Sequence, residues 1–213
     1  VSRLIAADAP GALAAAAEAL RRGEIVAIPT ETVYGLAVLP EQGPAERLVV
    51  AKQRSADKGI QLLVDSIEQA RRVAILTPLA ERLATALWPG GLTIVLRCRP
   101  GAKVPDLLGG GRRTIGVRLP DHPIPRALSR LLGPLAASSA NLSGQPPATD
   151  AQSVINALGA LVAVVIDDGP VVGGIPSTVV DCSDPAVGVR ILREGAIPAS
   201  TIARLAGEGY TGP

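Results

Sequence analysis

Phenylalanine and methionine are absent from the 213 residues, and the large aromatics are only Trp88, Tyr34 and Tyr210. The core must therefore be built from Ala, Val, Leu and Ile, and a hydrophobic share of 47% is enough to build one. Few aromatics also means few platforms for stacking nucleic-acid bases. Histidine is represented once, by His122, and cysteine twice, by Cys98 and Cys182, with no CxxC pair. That set is too small for a zinc site and reads as two reduced core thiols. No excess of one charge exists: 21 Lys and Arg stand against 19 Asp and Glu. No basic run exceeds a pair, which argues against an extended nucleic-acid face. No apolar stretch approaches the roughly 20 residues of a membrane span, and no charged-then-apolar leader opens the chain. A cytoplasmic protein is expected, with no membrane partner. A domain of this length buries roughly 70% of the surface its unfolded chain exposes, so one domain is the natural division.

What is present is a set of short apolar runs separated by helical patterns. An Ala-rich helix is predicted from Asp8-Ala9-Pro10 to Arg22, followed by a strand over 25–28. A second helix begins at Pro44 with Leu48, Val49 and Val50 inward, and a strand follows over 60–64. Helical patterns cover 67–75 and 79–87, the latter ending on Trp88 as a packing anchor. A strand covers 92–96, a Pro- and Gly-rich loop covers 99–113, and a strand alternates over 114–120. His122 reads as a surface residue at the start of the next helix. A strand-to-loop turn follows at 135–144, and Asp150 caps a short helix. Strands are predicted over 162–166, 179–181 and 187–192, with a terminal helix over 198–206.

Four places in this pattern carry chemistry. Pro29-Thr30-Glu31-Thr32-Val33-Tyr34-Gly35 crowds hydroxyls, a carboxylate and a phenol at a strand end, where open α/β sheets place ligands. A Thr-rich turn over a buried Tyr is the plain alternative. Lys52, Arg54 and Lys58 are three cations within seven residues at a helix-to-strand corner. They suit an anion if the backbone turns there, and otherwise form a solvated corner. Arg118 shares a strand face with Thr114 and Gly116, as a carboxylate or phosphate receptor or as an edge charge. Ser139, Asn141 and Ser143 offer donors in a stretch of small residues that lets a ligand approach the backbone, or form a hydroxyl-rich turn.

These stretches, with Trp88-Pro89-Gly90 and Ser177-Thr178-Val179-Val180-Asp181, occur together and in order. The chain thereby resembles the YrdC-type family of threonylcarbamoyl-AMP synthases, over about residues 24–195. The resemblance implies an α/β (mixed α+β) fold of three layers, a twisted mixed sheet flanked by helices around a concave basic pocket. It implies one catalytic domain, 1–213, with no additional C-terminal domain. It implies a nucleotidyltransferase that joins L-threonine, bicarbonate and ATP into threonylcarbamoyl-adenylate and pyrophosphate. The adenylate would serve proteins that modify an adenosine of tRNA. Magnesium is expected with ATP, and no protein-bound zinc.

By the same resemblance, Lys52, Arg54, Ser139 and Asn141 form the catalytic group that holds phosphate and the new carbamate. Lys58, Thr114 and Arg193 join Arg54, Ser139 and Asn141 around ATP. Thr32, Arg118, the backbone at Ala137, and Ser177 surround threonine. Ser55 replaces a Pro common in relatives, Lys58-Gly59 replaces Asn-Pro, and Leu63 and Pro147 stand where some relatives have His and Ser. Leu63 and Pro147 are therefore left outside the site. Metal ligands stay open, with Glu31, Asp167 and Asp181 as the carboxylates near the motifs. Two rivals remain: a double-stranded RNA or tRNA-binding module without turnover, whose RNA contact would be weak at this net charge, and a related carbamoyl-adenylate-forming domain.

Overall fold

Short Val-, Ile- and Leu-rich runs that bury both faces form the centre of a sheet, and helices with one apolar stripe cover it. The computed structural model describes residues 2–53 and 59–212. Arg54 and Lys58 of the expected site lie outside these residues.

Eleven strands are present among the described residues. They are β1 (Arg3–Ala6), β2 (Val26–Ile28), β3 (Gly35–Val38), β4 (Gln61–Leu63), β5 (Ala74–Ile75), β6 (Leu92–Cys98), β7 (Thr114–Arg118), β8 (Leu135–Ser139), β9 (Val164–Asp167), β10 (Thr178–Asp181) and β11 (Arg190–Arg193). They form one sheet in the order β1-β9-β2-β3-β8-β4-β7-β6-β10-β11, with β5 on β6. The pairs β1/β9, β2/β9, β4/β7 and β6/β10 are parallel and the rest antiparallel, so the sheet is mixed.

Two apolar layers lie on opposite faces. On one, α1 (Ala12–Arg21) and α5 (Pro123–Leu132) pack Leu20, Ile124 and Leu128 against Val26, Ile28, Ala37 and Leu63. On the other, α2 (Gln42–Ala51), α4 (Pro78–Leu87), α6 (Ala151–Leu158) and α7 (Ala199–Ala206) cover Ala27, Leu36, Leu62, Ile94 and Val180. The odd/even split of β2, β3 and β4 between these layers is the period-2 alternation of a strand. A short helix, α3 (Ile67–Val73), joins β4 to β5. Ser66, Thr77 and Asp150 cap α3, α4 and α6 by accepting backbone N–H bonds. Among the described residues, no helix is long and apolar enough to cross a membrane.

Several local expectations change. Strands β1 and β3 were not anticipated; β3 is hidden in the polar motif because its apolar residues begin only at Gly35. The helix after Pro10 starts at Ala12, because Gly11 takes a left-handed φ of 82° and ends the preceding turn. The pattern over 67–75 divides into α3 and β5. Val50 points outward, 75% exposed, because α2 lies on the sheet through Ala45, Leu48 and Ala51. His122 does stand at the start of α5, but it is only partly exposed: its side chain is 13% exposed and Nδ1 accepts from the Ile124 amide. Trp88 is buried at the end of α4, where Nε1 donates to the Leu92 carbonyl at 2.7 Å. Cys182 is buried, which pushes its thiol up to about 12, and neither cysteine is in a disulfide.

A candidate anion- and amino-acid-binding cleft

Helices α1 and α5 cover their face only over the half of the sheet around β9, β2, β3 and β8. Beyond β8 the same face, on β4, β7, β6 and β10, carries polar and small residues and forms the floor of a cavity of about 700 Å³. Lys52, Arg112, Arg118 and Arg193 line it, and no Asp or Glu does so among the described residues. Cations and hydroxyls along one cleft suit anions.

Arg118 ends β7 and is 2% exposed. Its Nε donates to the Gly90 carbonyl at 3.1 Å, and Nη2 donates to Glu31 Oε1 at 2.7 Å and Thr32 Oγ1 at 2.9 Å. Nη1, with two hydrogens, has no protein partner among the described residues. The turn that supplies these contacts is held by Thr30: its Oγ1 donates to the Val33 carbonyl at 2.6 Å and accepts from the amides of Thr32 and Val33. Glu31 Oε2 is buried and unpartnered. The guanidinium is thus fixed on two sides and open on the third, as a carboxylate receptor requires. Tyr34 turns the other way, into the core, with its hydroxyl donating to the Gly169 carbonyl at 2.8 Å and accepting from the Asp168 amide at 3.2 Å. Burial pushes its phenol up to about 12.

At the other end lies the turn after β8. Lys52, 1% exposed at the end of α2, directs Nζ to the Ser139 carbonyl at 2.5 Å, to the Asn141 carbonyl, and to Asn141 Oδ1 at 2.7 Å. Ser139 Oγ donates to Asn141 Oδ1 at 2.6 Å, and Asn141 Nδ2 donates to the carbonyls of Leu142 and Gln145. Lys52 and Asn141 therefore shape the turn, while Ser139 keeps lone pairs for a ligand donor. Thr114 stands on the β7 face two residues from Gly116 and four from Arg118. The loop before it approaches closely: a Cβ on Gly109 would lie 2.2 Å from the Thr114 carbonyl. Arg193 Nη2 donates to the Ser177 carbonyl at 2.7 Å.

Of the expected residues, Lys52, Thr114, Arg118, Ala137, Ser139, Asn141, Ser177 and Arg193 line the one cleft, and Thr32 reaches it through Arg118. Pro147, left outside the expected site, lines it as well. Glu31, Asp167 and Asp181 do not line it: Glu31 pairs with Arg118, Asp167 accepts from the Gly169 amide, and Asp181 faces Arg190. Gln61, Thr93 and Arg112 line it without having been anticipated. Thr93 carried a signal, a polar residue inside the apolar run Leu92–Leu96. Gln61 and Arg112 carried none beyond their polarity.

The fold and the cleft define an α/β protein with an arginine receptor at one end of a cavity and a hydroxyl- and cation-lined turn at the other. The comparisons agree on what that class is. Residues 18–195 match the Sua5/YciO/YrdC family profile, described as "Telomere recombination". The chain is 39% identical over 198 residues to a threonylcarbamoyl-AMP synthase of Bacillus subtilis, covering 92% of this chain and 56% of that protein. It is 38% identical over 185 residues to a threonylcarbamoyl-AMP synthase of Vibrio cholerae, covering 84% of this chain and 95% of that protein. The crystal structure of P. abyssi Sua5 complexed with L-threonine superposes with a TM-score of 0.89 at 35% identity, over 98% of this chain and 61% of that one. E. coli YciO superposes with a TM-score of 0.84 at 27% identity, over 97% of this chain and 100% of that one. The chain belongs to the Sua5/YciO/YrdC family. It spans little more than half the length of the Bacillus protein.

Proposed function

We propose that the chain is an L-threonylcarbamoyladenylate synthase, joining L-threonine, bicarbonate and ATP with release of pyrophosphate. The observation that carries this is the two-ended cleft, with the open edge of Arg118 set apart from the Ser139 turn, Thr114 and Arg193. In the reaction the threonine amine forms an N–C bond to the carbonate carbon as water is lost. A carbamate oxygen then bonds to the α-phosphorus of ATP as pyrophosphate leaves. No enzyme nucleophile is required; positioning, charge neutralisation and exclusion of water are.

Arg118 takes the threonine carboxylate on Nη1, with Thr32 and Glu31 holding the guanidinium in place. Ser177 and the backbone at Ala137 face the amine. Ser139, Thr114 and Arg193 receive the nucleotide with Arg54 and Lys58, and Lys52 and Asn141 hold the shape of the turn. Magnesium is expected to arrive with ATP. Among the described residues no group of three His, Cys, Asp or Glu side chains is placed to hold a metal. Phosphate oxygens and water suffice as ligands for such an ion. The product would serve proteins that transfer the threonylcarbamoyl group to tRNA.

The test is pyrophosphate release from ATP and magnesium, with threonine and bicarbonate each omitted. Release that requires both supports the synthase. Turnover with carbamoyl phosphate and without threonine would instead assign the carbamoyl-adenylate reaction. Folded protein with no turnover that binds tRNA with a steep salt dependence would assign the RNA module.

A further inference from the structure

Gln61 of β4, Thr93 of β6 and Ser177 just before β10 stand side by side on the cleft floor. Thr93 Oγ1 lies 2.6 Å from Gln61 Oε1 and 2.8 Å from Ser177 Oγ. The row crosses β7 at Gly116, where a Cβ would lie 3.2 Å from Thr93 Cγ2 and 3.5 Å from Gln61 Cβ. The missing side chain leaves the gap in which Gln61 and Thr93 meet.

Counting hydrogens fixes the direction of the row. A hydroxyl has one hydrogen, and an amide oxygen only accepts. Thr93 therefore donates to Gln61 Oε1, and Ser177 must donate to Thr93. Ser177 Oγ also accepts from Arg193 Nη2 at 3.4 Å, which leaves it one lone pair for a ligand. Gln61 Nε2 is left with two hydrogens and no protein partner among the described residues. The row thus presents an acceptor at one end and a donor at the other.

Its position is equally specific. Leu62 pairs with Val117, which sets Gln61 beside Gly116, and Gly116 lies midway between Arg118 and Thr114 on the same face of β7. Each two-residue step along a strand is roughly 7 Å. Gln61 is therefore one step from the carboxylate receptor and one step from the nucleotide end.

We propose that Gln61 binds the carbamate intermediate, Nε2 donating to a carbamate oxygen while Ser177 Oγ accepts the carbamate N–H, with Thr93 as the positioning residue that orients both. The assignment rests on the synthase reading. A carbamate offers one N–H donor and neighbouring oxygen acceptors, which is the complement of the row. Free L-threonine has no carboxyl group on its nitrogen, so the Gln61 contact belongs to the carboxylated form.

The test uses the full chain and a stable mimic, N-acetyl-L-threonine, which has the N–H and C=O but does not react. Calorimetry should show Gln61→Leu weakening N-acetyl-L-threonine about tenfold, the size of one lost hydrogen bond, with L-threonine affinity changed less than twofold. Gln61→Glu, which exchanges donors for acceptors, should weaken it further. Thr93→Val, which releases the Gln61 amide, should lose part of the same discrimination while its urea midpoint reports folding. In turnover, Gln61→Leu should raise the bicarbonate KM or lower kcat with the threonine and ATP KM values unchanged. Equal loss for both ligands, no loss for either, or a wild type that does not bind the acetyl compound overturns the assignment. A wild type that binds both ligands with the expected discrimination yet releases no threonine-dependent pyrophosphate refutes the synthase and upholds the contact.

Discussion

Arg118 offers the sharpest perturbation, because its removal touches stability and ligand binding through different atoms. The guanidinium is buried against Glu31, whose Oε1 is 2.7 Å from Nη2 and whose Oε2 already lacks a partner. Arg118→Met keeps side-chain bulk but leaves a carboxylate in a site that no longer compensates it. Breaking a buried pair from one side costs about 3–5 kcal/mol. At about 2–4 °C per kcal/mol for a chain of this size, the thermal midpoint should fall by about 6–20 °C. Adding Glu31→Gln removes the stranded charge and should recover more than half of that loss. Threonine binding should not recover, because the charge-assisted bonds from Nη1 are gone in both variants. At about 1.5–3 kcal/mol, their loss weakens L-threonine about 10- to 150-fold. Thermal melts and calorimetry with L-threonine read the two effects separately. A single variant as stable as the wild type would refute the buried pair. A double variant that binds threonine like the wild type would refute the carboxylate receptor.

Other buried contacts respond to substitution in the same measurable way. Tyr34→Phe removes bonds to the Gly169 carbonyl and the Asp168 amide and should cost about 1–3 kcal/mol in urea melts, with the m-value unchanged. Since the folded phenol is raised from 10.0 to about 12, the unfolded chain loses its proton first on going alkaline. Wild-type stability should fall from about pH 10 upward, and the Phe variant should show less of that fall. Burial lowers the His122 imidazole despite Asp168 at 3.2 Å, so its contribution is present above its ordinary value of 6.5 and lost as pH falls through the lower folded value. His122→Asn, which keeps an acceptor for the Ile124 amide, should flatten melting midpoints measured between pH 7.5 and 5. Gly109→Ala places a Cβ 2.2 Å from the Thr114 carbonyl, so the loop must move. ATP affinity should fall while L-threonine affinity stays unchanged, with a stability loss of about 1–3 kcal/mol.

The sheet was legible where apolar runs were bounded by Pro and Gly, as at Val26–Ile28 and Thr114–Arg118. It was not legible at Arg3–Ala6, whose exposed edge strand has little hydrophobic signal, nor at Gly35–Val38, where strand residues continue directly from a polar turn. Membership of one cleft was legible for Arg118, Ser139 and Ser177 because each sits in a distinctive local motif. The partner of Arg118 was not: Glu31 is far away in sequence, and only the meeting of two strand ends gives it a task. Lys52 shows the converse. Its charge suggested a place in an anion site, but no local pattern showed that Nζ also ties down the Ser139–Asn141 turn. Gln61 and Thr93 gain meaning only from strand register, which no local pattern encodes.

Gly116 has a bearing on how such a cleft changes between related chains. Its Cα is bare in the middle of the floor, so the depth of the cavity is set there by omission. An alanine would need its neighbours to give by only a few tenths of an ångström, since the tightest contact would be 3.2 Å to a threonine methyl. A valine or leucine would part Gln61 from Thr93 and raise the floor between the two ends. A single codon thus acts as a depth gauge, shortening the space between Arg118 and Thr114 while leaving the walls untouched.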